Sequence, residues 1–256
     1  NNASNNSCGI YLYSSSNNNL TKNTASNNDE GIYLWWSSNN NLTNNTVSNN
    51  NYGIYLCASS SNNFTGNTFV NDGLFLSSGY HNTVENNTVN GKPLVYLEDT
   101  SDYTVPDAGQ VILVNCNNVT VENQDLSNTT VGVELWETTN STITNNTVSN
   151  NNYGIYLSSS SNNNLTNNTA SGNEYGIALS SSSNNNLTNN TANSNNDYGI
   201  YLRYSSNNTL NNNTMCENKY NFGVYSGSLS KYTQNIDTSN TVDGKPVYYW
   251  INQQDK

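Results

Sequence analysis

The chain has 256 residues, of which 33% are hydrophobic and only 10% charged, with a net charge of −11, one His and one Met. That balance excludes a nucleic-acid surface, which needs a basic stripe, and a copper or zinc site built on imidazole and thioether ligands. No apolar run approaches the length of a membrane span, and 19 tyrosines at low charge are not the composition of a disordered chain. The first residue is Asn1 and no basic, apolar leader follows it, so the sequence reads as a piece of a longer protein.

Internal repetition organises the chain. Glycines that precede an apolar-x-Leu triplet stand at Gly9, Gly31, Gly53 and Gly73, then at Gly132, Gly154, Gly176 and Gly199, with Gly223 as a looser copy. The steps within each run are 20 to 24 residues. Eleven residues after most glycines comes a second apolar position, as at Leu20, Leu42, Leu165 and Leu187. Five further on comes a third, as at Ala25, Val47, Val148 and Ala170. In G-I-Y-L the apolar residues alternate, so Ile and Leu face one way and Tyr the other. Runs this short are strands, and three of them in about 22 residues make one rung of an all-β, parallel β-helix solenoid. An Asn precedes the third strand at Asn23, Asn45, Asn67, Asn87, Asn146, Asn168, Asn190 and Asn213. Such residues tolerate tight bends, and stacked amides bond along a column.

The period lapses between about residues 90 and 126. There Gly91-Lys92-Pro93 opens a β-rich stretch, and the segment from Glu98 to Gln110 reads as an extruded loop. The same G-K-P signature returns at Gly244-Lys245-Pro246, so a second junction begins at about 243. Residues 1–256 are thus expected to form one solenoid with an irregular module junction.

GKP-[LV]-[VY]-Y, PDAG-x-VILVNC and many copies of N-x-L-T-x-N-T-[VA] before G-I-Y-L resemble the NosD-like, CASH-type β-helix repeats of (archaeal) cell-surface proteins. The resemblance covers essentially the whole chain. It implies a right-handed parallel β-helix in an exported protein, extracellular or at the cell surface. Some members of that family are linked to copper insertion, others to carbohydrate binding or cleavage.

The residues point to few chemical centres. Glu98, Asp99, Asp102 and Asp107 cluster in sequence without the spacing of a calcium loop, so no Ca²⁺ site and no cofactor is assigned. No acid pair recurs on neighbouring rungs, and no catalytic residue is assigned. Cys8, Cys57, Cys116 and Cys216 fall on separate rungs, too far apart to bridge within the chain. They are candidates for cross-links between subunits. The x of G-I-x-L draws an outward stripe of Tyr11, Tyr33, Tyr55, Phe75, Tyr156, Tyr201 and Tyr225, suited to a lateral interface or to sugars. About seventeen N-x-[ST] sequons include Asn19, Asn41, Asn44, Asn63, Asn86, Asn164, Asn167, Asn186 and Asn189 as glycosylation candidates. With open strand edges at both ends of the repeat, the expected role is a non-catalytic structural protein of a sheath, filament or surface layer. It would stack on copies of itself. The alternative is a carbohydrate-binding or carbohydrate-active β-helix with a polysaccharide partner.

Overall fold

The computed structural model describes residues 1–251 and divides them into two compact units. Unit 1 comprises residues 1–96, 107–111 and 128–131, and unit 2 comprises 97–106, 112–127 and 132 onward. Each is a stack of rungs of a right-handed parallel β-helix. In unit 1 the long strands Cys8–Tyr13, Glu30–Trp35, Tyr52–Cys57 and Leu74–Leu76 form one face. The three-residue strands Asn19–Thr21, Asn41–Thr43, Asn63–Thr65 and Thr83–Glu85 form a second. A third carries Thr24–Ser26, Thr46–Ser48 and Thr68–Val70. Unit 2 repeats the plan, with Tyr153–Ser158, Tyr175–Ser180, Tyr198–Arg203 and Tyr220–Tyr225 on its long face.

The register stacks like on like. Ile10, Ile32 and Ile54 lie in one column, and Leu20, Leu42 and Phe64 in another. Both columns are buried at most rungs, so a narrow apolar core suffices for a polar chain. The corners follow a rule that the sequence reading did not extract. A residue with positive φ turns the chain at Asn145, Asn150, Ser159 and Asn162, and again one rung on at Asn167. The residue after each is buried: Asn146, Asn151, Ser160, Asn163 and Asn168. Asn is among the residues that enter the left-handed region most readily. A buried amide has a donor and an acceptor for the rungs on either side. The two demands together account for the Asn-Asn pairs that fill this chain.

The Asn column before the third strand is a ladder, as expected from its recurrence. In unit 1 the Asn23, Asn45 and Asn67 amides each donate to the next Oδ1 at 2.9–3.0 Å, ending on Asn87. In unit 2 Asn146, Asn168, Asn190 and Asn213 do the same at 2.8–3.1 Å, ending on Asn240. Two further amide columns run Asn28–Asn50–Asp72 and Asn18–Asn40–Asn62 in unit 1. A Ser/Thr column in unit 2 runs Thr138–Ser160–Ser182–Ser205 through backbone N–H donors.

Glycine is required near the head of most long strands by close approach of the next rung. A Cβ on Gly176 would meet the Gly199 carbonyl oxygen at 2.6 Å and the Asn195 amide nitrogen at 2.8 Å. Gly176→Ala is therefore expected to cost about 1–3 kcal/mol through overpacking, read as a lowered midpoint in urea unfolding. A midpoint equal to that of the parent would show that the rungs separate freely.

The two G-K-P elements are tight hairpins. Asn90 and Gly91 have φ of 52° and 81°, and Asp243 and Gly244 have 49° and 74°, the signature of a two-residue turn with left-handed central residues. They set Thr88 against Pro93 and Thr241 against Pro246 in antiparallel register. The segment read as an extruded loop instead carries a strand, Ser101–Thr104, paired in parallel with Asn117–Glu122. Asp99 and Asp102 are its left-handed corners, and they accept from the amides of Asn115 and Asn118 at 2.6 and 2.7 Å.

Candidate functional site: an aromatic shelf and a notch in the long face

On unit 1 the outward stripe closes into a shelf. Tyr11, Tyr33 and Tyr55 are in register, with ring centroids 5.1 and 4.9 Å apart and interplanar angles of 23° and 14°. Nearly parallel rings at that separation are offset rather than superposed, so each keeps part of a face outward. A second column two residues along adds Tyr13 and Trp35, 5.5 Å apart at 78°. Trp36 sits at the adjoining corner, 5.3 Å from Trp35 and 5.7 Å from Tyr13. Its φ of 50° is left-handed, a conformation that costs a bulky residue about 1–2 kcal/mol and that Ser14 and Ala58 adopt at the same corner. It is nonetheless 53% exposed, beside Tyr11 at 47% and Tyr13 at 50%. Six rings on three rungs thus face solvent together. Burial raises the Tyr33 and Tyr11 hydroxyl pKa values.

Two stripe residues are corrected. Phe75 is in register with Tyr55 but buried, edge-on to it at 62°. Tyr225 is off the stripe, because Gly223 is not the equivalent of Gly199. The register pairs Tyr201 with Gly223 and Arg203 with Tyr225, which leaves Asn221 in the place of the repeat glycine. On unit 2 the stripe therefore reads Tyr156, Ala178, Tyr201, Gly223. Beside it runs a column absent from the sequence reading: Tyr153, Tyr175 and Tyr198, each just before a repeat glycine, and Tyr220, just before Asn221. Their centroids are 5.0–6.0 Å apart. The signal was present as Y-G-I in four rungs, but strict alternation hid it. The extra residue at the glycine bend brings positions i and i+3 to one side, so that Tyr198 and Tyr201 lie 4.4 Å apart.

The cysteines do not pair with one another. Cys116 is corrected as a cross-link candidate, since it is buried and occupies an inner-ladder position whose N–H donates to Thr138 Oγ1 at 3.2 Å. Cys8 donates to Glu30 at 3.2 Å, and burial together with that carboxylate pushes its thiol pKa up to about 11. Burial also raises Cys216, with help from Glu217. Thiols held protonated are poor nucleophiles for disulfide formation. The sequon asparagines Asn19, Asn41, Asn44, Asn63, Asn86, Asn164, Asn167, Asn186 and Asn189 are all exposed or half-exposed. Several are corner or outer-ladder residues, such as Asn41, which donates to Asn19 at 2.9 Å.

The family described as "Periplasmic copper-binding protein (NosD)" matches residues 1–110 and 99–246. The chain belongs to the NosD family. No match is found among curated proteins. Among solved structures the chain is similar to the periplasmic alginate epimerase AlgG, at 15% identity and a TM-score of 0.47, over 87% of this chain and 61% of that one. It thus spans about three fifths of that protein's length. It is also similar to the A-module of the Azotobacter vinelandii mannuronan C-5 epimerase AlgE4, at 12% identity and a TM-score of 0.35, over 96% of this chain and 75% of that one. Pectate lyase Pel9A matches at 16% identity and a TM-score of 0.34, over 93% and 70%. At these identities the likeness shows the fold alone. The expectation of a non-catalytic protein is withdrawn, since the similar structures are those of two epimerases and a lyase and a fold by itself does not exclude catalysis. A sheath or surface layer gains no support, and at the last rung of unit 2 the third-face strand Thr241–Val242 is already paired with Lys245–Pro246. Among the described residues no helix is long and apolar enough to cross a membrane.

The sulfur donors do not come together as a copper site. Met215 is buried between Ala192 and Val242 in the core, and its neighbour Cys216 alternates to the outer side. Cys8 is set against Glu30, and Cys57 against Trp35. Copper wants several soft or imidazole ligands at one point, and these sulfur atoms do not provide one. The acids first grouped as a calcium candidate are likewise engaged: Asp99 and Asp102 in outer-ladder bonds and Asp107 with Lys92 at 2.9 Å.

Proposed function

We propose that this NosD-family chain is an exported β-helix protein that binds polysaccharide on the aromatic shelf of unit 1. The observation that carries the reading is Trp36, an exposed ring held in a left-handed corner among five others. A residue chosen for the turn alone would be Asn, Ser or Gly. Exposed contiguous aromatics at the cost of backbone strain mark a contact surface. The shelf has the character that sugar faces require, with apolar C–H surfaces against rings and phenol hydroxyls at the edge. The family's periplasmic description supports a place outside the cytoplasmic membrane, where cell-surface or extracellular polysaccharide is the available polymer.

Affinity electrophoresis in gels containing soluble polysaccharides tests this. The parent chain is expected to be retarded by at least one polysaccharide. Trp35→Ala with Trp36→Ala is expected to weaken that retention at least tenfold with only a modest fall of the unfolding midpoint, since neither ring is buried and Ala58 holds the same corner one rung on. Retention unaffected by the double substitution would overturn the shelf as the binding surface.

A further inference from the structure

The long face of unit 2 is interrupted at one rung. Ala178 stands in register between Tyr156 and Tyr201, so one ring is missing from between two others on this column. The missing side chain leaves a cavity of about 100 Å³. Tyr156 and Tyr201 form its walls along the stack and Tyr153 and Tyr175 its side, with Ser180 and Arg203 at the next outward column. Ala178 is only 4% exposed although it faces outward, so it is the floor of a notch rather than a gap in a flat surface.

The charge at the notch is specific. Arg203 is the only arginine of a chain with net charge −11, and it lines this cavity. Lys92 and Lys219 pair with Asp107 and Asp197 at 2.9 and 3.3 Å. Arg203 has no ion pair among the described residues and lies instead 5.2 Å from the Tyr204 ring. The acids that act on the cavity's tyrosines are engaged: Asp197 pairs with Lys219 at 3.3 Å, and the buried Glu134, which acts on Tyr156, accepts from Trp136 Nε1 at 2.8 Å. An unpaired guanidinium beside an aromatic slot fits a ring-shaped ligand bearing a carboxylate, because the planar fork matches a carboxylate in two parallel hydrogen bonds.

We propose that the Ala178 notch is a subsite for one carboxylated pyranose, a uronate residue of an acidic polysaccharide. The sugar ring takes the place of the absent phenol between Tyr156 and Tyr201, and its carboxylate pairs with Arg203. This rests on the polysaccharide reading but uses a different unit and different residues from the shelf.

The test is titration of the whole chain with a galacturonate trimer and with cellotriose as the neutral probe, followed by calorimetry and by tyrosine NMR signals. The parent is expected to bind the uronate trimer at least tenfold more tightly than cellotriose, less tightly as salt is raised. Ala178→Tyr is expected to abolish uronate binding. It should fold, because it restores the residue that other rungs carry. Arg203→Gln is expected to erase the preference for uronate. Unchanged uronate affinity in Ala178→Tyr would overturn the notch, as would cellotriose binding equal to uronate binding in the parent. Shelf-dependent retention on polysaccharide gels without any shift of the Tyr156 and Tyr201 signals would overturn the notch alone. Uronate binding at the notch with no shelf-dependent retention would overturn only the shelf.

Discussion

Asp72→Asn is expected to stabilise unit 1 at neutral pH by up to about 4 kcal/mol, and the gain is expected to vanish in acid. Asp72 ends the buried column Asn28–Asn50–Asp72. Its Oδ2 accepts from the Asn50 backbone and side-chain nitrogens at 3.1 and 2.7 Å, while Oδ1 is buried without a hydrogen-bond partner. At the preceding rungs the equivalent atom is an amide nitrogen that donates to a carbonyl 25 residues back, as Asn50 does to Ala25 and Asn28 to Ala3. A carboxylate cannot make that donation. Burial raises the Asp72 pKa from 3.8 to about 7, against the lowering effect of the Asn50 donors. The folded state thus holds its proton more tightly than the unfolded chain. The stability contributed by the protonated form is fully present below about pH 4, is lost progressively as pH rises to about 7, and is absent above that. Thermal unfolding of the parent and of Asp72→Asn at pH 4, 6 and 8 checks this. The midpoints should converge at pH 4 and diverge by pH 8, and a difference independent of pH would sink the assignment.

Asn168→Ala is expected to cost about 4 kcal/mol, and Asn167→Ala about 1 kcal/mol, though the two residues are adjacent and chemically identical. Asn168 Oδ1 accepts from the Asn146 backbone and side-chain nitrogens, both at 3.1 Å. Its Nδ2 donates to the Ile143 carbonyl at 2.8 Å and to Asn190 Oδ1 at 3.0 Å. Alanine leaves a buried backbone N–H, one amide hydrogen and a carbonyl unpaired, each worth about 1–3 kcal/mol where water cannot enter. Asn167 is exposed and contributes mainly a left-handed corner with φ of 56°. Urea unfolding of the two variants measures the contrast, and equal costs would show that the ladder carries no more than the turn does.

The repeat made much of this visible beforehand. The glycine steps, the G-I-Y-L alternation and the recurrent Asn before Thr located the rungs, the core columns and one ladder, because identical residues must stack on identical residues in a solenoid. What stayed hidden depended on register or on departures from alternation. Tyr153, Tyr175 and Tyr198 share a side with Tyr156 and Tyr201 only because the chain bends at the intervening glycine. Gly223 looked like one more repeat glycine, yet it aligns with Tyr201 and shifts Tyr225 out of the stripe. Cys116 looked like a spare thiol, yet it holds a rung of an inner ladder.

The sequence by itself determined the solenoid, its period and its membership of a β-helix family, because those follow from which residue types recur and how far apart. Only the tertiary structure decided which asparagines are buried, that Asp72 ends a ladder with an unmet oxygen, and that Ala178 opens a notch beside Arg203. Each of these is a relation between residues about one rung apart along the chain yet roughly 4.8 Å apart in space. A period shows that rungs repeat, but only the realised register shows what each rung sets against the next.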